Sequence, residues 1–144
     1  AQNTASIYIQ STDETMVAAY KEAITNWNNT GAFIFTFTDD ASKADIVATD
    51  YSDANSQAAG LADSQTNVVT NRITHVEVKL NRYFLLNPDF GYTHKRIVNT
   101  AEHELGHAIG LDHDDSRASV MQSAGSYYGI QQTDIDRVHA LYAN

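Results

Sequence analysis

The chain has 144 residues, 42% hydrophobic and 10% aromatic, which suits one packed globular domain over 1–144 rather than a disordered polymer. Its net charge of −9, with nine Lys plus Arg, excludes nucleic acid and anionic membrane surfaces as partners, because phosphate binding needs clustered cations. The absence of cysteine excludes disulfides and thiolate metal sites, and no apolar run reaches the length of about 18 residues that reads as a membrane span.

In chain order, Ser6 to Ile9 alternates and predicts a strand. Ser11 and Glu14 have capping-box spacing, and Met16, Val17, Tyr20, Ala23, Ile24 and Trp27 then recur at helical spacing until Gly31 stops the helix. Phe33, Phe35 and Phe37 alternate with Ile34, Thr36 and Thr38 as a second strand. Further strands are expected at Ala44–Thr49, Gly60–Asp63 and His75–Leu80. A helix is expected from near Thr93 to Gly110, and a last one from about Thr133 to Tyr142. The order β-α-β-β-β-β-α-loop-α predicts a mixed α+β fold. A twisted mixed sheet carries two packed helices over residues 1–110, and a mostly irregular part follows over 111–144.

Half of the six histidines lie within HELGHAIGLDH, residues 103–113. On a helical wheel Val98, Ala101, Leu105, Ala108 and Ile109 share the side expected to pack on the sheet, with His103 and His107 on roughly the opposite side, one turn apart. Two imidazoles at i and i+4 can grip one ion, Gly110 permits a left-handed turn, and His113 returns as a third ligand. Three neutral imidazoles leave the fourth corner of a zinc tetrahedron open for water, the mark of a catalytic rather than a structural site. Glu104, beside the first ligand, can take a proton from that water, whose pKa zinc lowers to about 7. The extended pattern H-E-x-x-H-x-x-G-x-x-H is matched without a gap, which separates it from a chance polar helix face.

At these residues the chain resembles the metzincin metallopeptidases, and within them the matrixins. Ser119-Val120-Met121 resembles the Met-turn beneath the zinc, Asp134-Ile135 to Leu141-Tyr142 the C-terminal helix, and Gly60-Leu61-Ala62 the edge strand that pairs with substrate. The resemblance implies a five-stranded metzincin sheet with a zinc cleft, and a zinc endopeptidase in which Glu104 activates water and His103, His107 and His113 hold one catalytic Zn2+. It also implies support of the site by Met121, Gly110 and Asp134, with Asp134 bonding toward the Met121 turn. Peptide or protein substrate would lie along Leu61 and Ala62, with an apolar preference after the cut and Tyr127 and Tyr128 as candidates for that pocket's wall. Asp114 directly follows the third ligand and is a candidate acceptor behind it.

The chain departs from the family's animal members, which hold a second, structural zinc: only Asp63 and His75 stand near those places, so a second zinc is not expected. The calcium cluster is thin, with Glu77; Ca2+ stays a candidate through Asp39, Asp40, Asp45, Asp50 and Asp53, most of them read as solvated. Thr133 replaces the first acid of the pair that opens the last helix in matrixins. His94 and His139 are read as surface or packing residues, and Trp27 as core. Residue 1 is Ala, which fits a start processed by removal of a secretion signal, so a secreted, extracellular monomer is expected. The alternative from another class is a non-catalytic metal-binding or interaction module of metzincin fold.

Overall fold

The computed structural model describes residues 2–67 and 72–143. The first strand, β1 (Thr4–Ile9), feeds helix α1 (Glu14–Asn29), which returns the chain to β2 (Ile34–Phe37); β3 (Ile46–Tyr51), β4 (Gly60–Asn67) and β5 (Arg72–Asn81) follow. A one-turn helix α2 (Arg82–Leu85) leads to the long helix α3 (His94–Ala108), and α4 (Gln132–Tyr142) ends the fold. The five strands form one sheet in the order β2-β1-β3-β5-β4. β1 runs parallel to β2 and β3, β3 runs parallel to β5, and β4 alone runs antiparallel, against β5, which leaves it at the edge. This is the mixed five-stranded α+β arrangement expected from the sequence.

The strand and helix periods decide what is buried. Ile46 and Ala48 on β3 and Val76, Val78 and Leu80 on β5 alternate inward, and each is at most 3% exposed. Against them α1 lays Met16, Ala19, Tyr20, Ala23, Ile24 and Trp27, all buried. Apart from the alanines, each such aliphatic or aromatic side chain contributes about 1.5–3 kcal/mol by leaving water. The two buried polar tips find partners: Tyr20 Oη donates to Thr49 O at 2.6 Å, and Trp27 Nε1 donates to Glu102 O at 3.0 Å. The second bond pins α1 to α3 one residue before His103.

Two local expectations are corrected. The first helix is capped not by a Ser11–Glu14 box but by Asp13, whose side chain accepts from Met16 N–H at 3.0 Å. The Ser11 hydroxyl instead donates to Asp50 across the sheet. Nor does α3 have one packed and one open side: every residue from Ile97 to Gly106 is buried. The C-terminal segment covers the side that the wheel left facing outward, so His103 is only 4% exposed. No helix among the described residues is long and apolar enough to cross a membrane.

Candidate metal centre

Helix α3 opens with Thr93 accepting from Arg96 N–H and runs without a break through both helix-borne histidines. Its end is set by Gly110 at φ 111°, where a side chain would be strained. There Gly110 N–H donates to His107 O at 3.0 Å and Leu111 N–H donates to Gly106 O at 2.9 Å. The reversed chain brings its own acceptor to the second histidine: His107 Nδ1 bonds Leu111 O at 2.9 Å. His103 Nδ1 bonds Val120 O at 2.8 Å. Each carbonyl can only accept, so both Nδ1 atoms carry the proton and both Nε2 lone pairs stay free for a metal.

The carbonyl that orients His103 is itself held in place. Asp134, on α4, is fully buried; it accepts from Ser119 Oγ at 2.5 Å, Val120 N–H at 2.9 Å and Gln131 N–H at 2.9 Å. Ser119 Oγ in turn accepts from Met121 N–H at 2.8 Å. Met121 is fully buried beneath α3, and its sulfur fills the space that a side chain at Gly106 would need. Gly125 (φ 74°) lets the next stretch lie against the His103 ring, since a Cβ there would sit 3.3 Å from the ring carbon Cγ. His113 stands on an exposed loop, with Nδ1 3.5 Å from Ser123 Oγ, and that hydroxyl donates to Asp115 at 2.6 Å.

The three rings converge. Their centroids are 4.7, 4.9 and 5.3 Å apart, and one ligand atom from each lies within 4.8 Å of the others. Burial lowers the pKa of His103 to about 4 and also depresses His107, so both are neutral near pH 7, as ligation requires. Burial raises the Glu104 carboxyl to about 8, a shift that a cation beside it would oppose. A Cβ at Gly60, where β4 begins, would lie 2.8 Å from Glu104 Oε2, so the glycine lets the edge strand close down on this carboxylate.

Glu104 and the triad lie in a cleft of about 730 Å³ between β4 and the segment after Met121. Leu61, 39% exposed, and Ala62 line it from the edge strand, with Ser123, Ala124 and Gly125 opposite. Tyr127 and Tyr128 do not: both are exposed, neither lines the cleft, and the Tyr127 ring lies 4.5 Å from the Arg96 guanidinium. Asp114 faces away from the ligands; it bonds Ser116 and pairs with Arg117 at 3.3 Å and Arg137 at 3.8 Å. Asp115, not Asp114, stands behind the third histidine, and no spacing in the sequence announces its link through Ser123. His94 lies 3.5 Å from Glu22, and His139 is exposed. Glu102 had no signal in the sequence either: it is buried, and burial raises its carboxyl to about 7.

Three imidazoles held over a buried methionine turn, beside a mixed sheet with one antiparallel edge strand, define a protein of the metzincin metallopeptidase class. The Matrixin family model matches residues 3–143, nearly the whole chain, and the chain belongs to that family. A comparison with curated proteins found no match. Matrixins bind zinc, and the triad here offers the donors that one such ion needs.

Proposed function

We propose that the chain is a secreted, single-domain, monomeric zinc endopeptidase that hydrolyses peptide bonds in proteins. One observation carries the reading: Glu104 shares a cleft with three imidazoles, two of them already tied by Nδ1 to backbone carbonyls and free at Nε2. His103, His107 and His113 would hold the zinc, with Met121, Gly110 and Asp134 keeping the ligands in place. When bound, zinc supplies Lewis acidity at a scissile carbonyl and acidifies water.

The chain's own groups do the rest. The Glu104 carboxylate accepts the proton of the attacking water and passes it to the departing amine, two transfers in which a positioned carboxylate contributes roughly 10²–10⁴-fold. Substrate lies extended along Leu61 and Ala62, whose strand has a free edge for β-augmentation. An apolar side chain after the cut is the preference that the family resemblance implies.

Glu104→Ala tests the reading. The variant is expected to keep one zinc per chain by elemental analysis, and its cleavage of a quenched peptide to fall by about 10³-fold. Parent-like cleavage by the variant would refute the role of Glu104. A parent protein that holds zinc but hydrolyses nothing would leave only the metal-binding module.

A further inference from the structure

Behind α3, on the side away from the cleft, lies a second cavity of about 590 Å³, within the range of small-ligand sites. Glu22 and Asn26 of α1, Lys95, Asn99 and Glu102 of α3, and Gly129 of the returning segment line it, and Lys95 forms no ion pair with Glu102 among the described residues. Glu102 is 3% exposed. Its Oε2 accepts from Asn26 Nδ2 at 2.7 Å, whereas Oε1 is buried without a hydrogen-bond partner among the described residues. The backbone N–H of Ile130 lies near this carboxyl.

Asn99 adds a second acceptor. Its Nδ2 donates to Ser126 O at 2.9 Å, and Oδ1 accepts no hydrogen bond among the described residues. A Cβ on Gly129 would sit 3.2 Å from Asn99 Oδ1 and 3.4 Å from Glu102 Oε1. Two acceptors, one of them a desolvated carboxylate oxygen, therefore face the same small space, kept open because residue 129 has no side chain. A carboxyl oxygen buried without a donor is costly, and a donor that brings its own positive charge offsets that cost best. Ile130, Ile135 and Val98 supply an apolar wall beside the two acceptors.

We propose that this cavity is a binding site, separate from the cleft, for an organic cation: an alkylammonium or alkylguanidinium, as borne by a lysine or arginine side chain or a small amine. The cationic head donates to Glu102 Oε1 and Asn99 Oδ1, and the alkyl stem lies on Ile130 and Ile135. The site does not depend on peptide hydrolysis.

The test is a ¹H–¹⁵N titration of the zinc-loaded protein with n-butylguanidinium, and with n-butylurea as a neutral probe of the same shape. Butylguanidinium is expected to shift the Gly129 and Ile130 amides saturably, with butylurea at least about tenfold weaker. Glu102→Gln is expected to weaken butylguanidinium by a similar factor. Gly129→Ala, at a backbone conformation open to any residue, is expected to block the site by filling it, and it answers the question if Glu102→Gln does not fold. Amides that do not move, as in a cavity holding water only, would overturn the proposal. So would equal binding of urea and guanidinium, or undiminished binding by either folded variant.

Discussion

Glu104 and Gly60 show how little separates a positioned carboxylate from a displaced one. The edge strand approaches so closely that one methyl group at residue 60 would meet the carboxylate oxygen at 2.8 Å and its Cγ at 2.9 Å. Gly60→Ala should therefore leave the fold intact and push Glu104 off its place. A misplacement of this size costs roughly 10²-fold in rate. The expected result is a cleavage rate down by about that factor, with zinc content and thermal midpoint near those of the parent. Unchanged turnover would mean that the side chain tolerates the shift. Nothing in the string Ala-Ala-Gly-Leu-Ala announced this contact, because the two residues meet only when β4 is laid across α3. The ligands, by contrast, were legible one by one, since their spacing along a helix and its glycine turn is a local property.

At the scale of elements, α4 acts on the site without lining the cleft. Asp134 organises Ser119 and Val120, the Val120 carbonyl orients His103, and the orientation fixes which ring nitrogen is free. Asp134→Ala strips three donors of their acceptor, with the Val120 N–H left in the interior. The expected cost is about 3 kcal/mol, read as a thermal midpoint lower by roughly 10 °C, with weaker zinc binding alongside. A midpoint within a degree or two of the parent would show that water replaces the carboxylate freely. The sequence placed α4 to within a residue of its observed start and suggested the bond toward the Met121 turn. It misjudged the start of α1, where Asp13 and Ser11 compete for capping and the cross-sheet partner Asp50 decides between them. It also misjudged α3, because a wheel counts apolar positions and cannot count a later segment folding back over the polar ones.

For the molecule as a whole, the sheet, α1 and α3 share a core that no metal ligand completes. Removing zinc with a chelator should therefore abolish cleavage yet leave far-UV dichroism at 25 °C unchanged. Ion held at about 100 times its dissociation constant adds about 2.7 kcal/mol, so the chelated protein should melt roughly 5–10 °C lower. Loss of helical signal on chelation would mean that the site is part of the fold's foundation. The α+β class and the strand order along the chain followed from periodicity. The edge position of β4 came from the family resemblance instead; the Asp115–Ser123 link and the cavity behind α3 left no periodic signal, the first because it is made by side chains of a loop and the second because it joins α1, α3 and the segment before α4, far apart in sequence.

The dependence of the Val120 carbonyl on Asp134 also has a consequence in time. A ribosome delivers residues in order, at about 5–20 per second, and Asp134 emerges after every group it arranges. A nascent chain that has just released His113 still lacks the carboxylate that shapes the turn beneath the first ligand. Competence therefore waits for α4, and ribosome-stalled chains whose exposed part stops short of residue 134 should bind zinc poorly, while those with all of α4 clear of the ribosome bind it well.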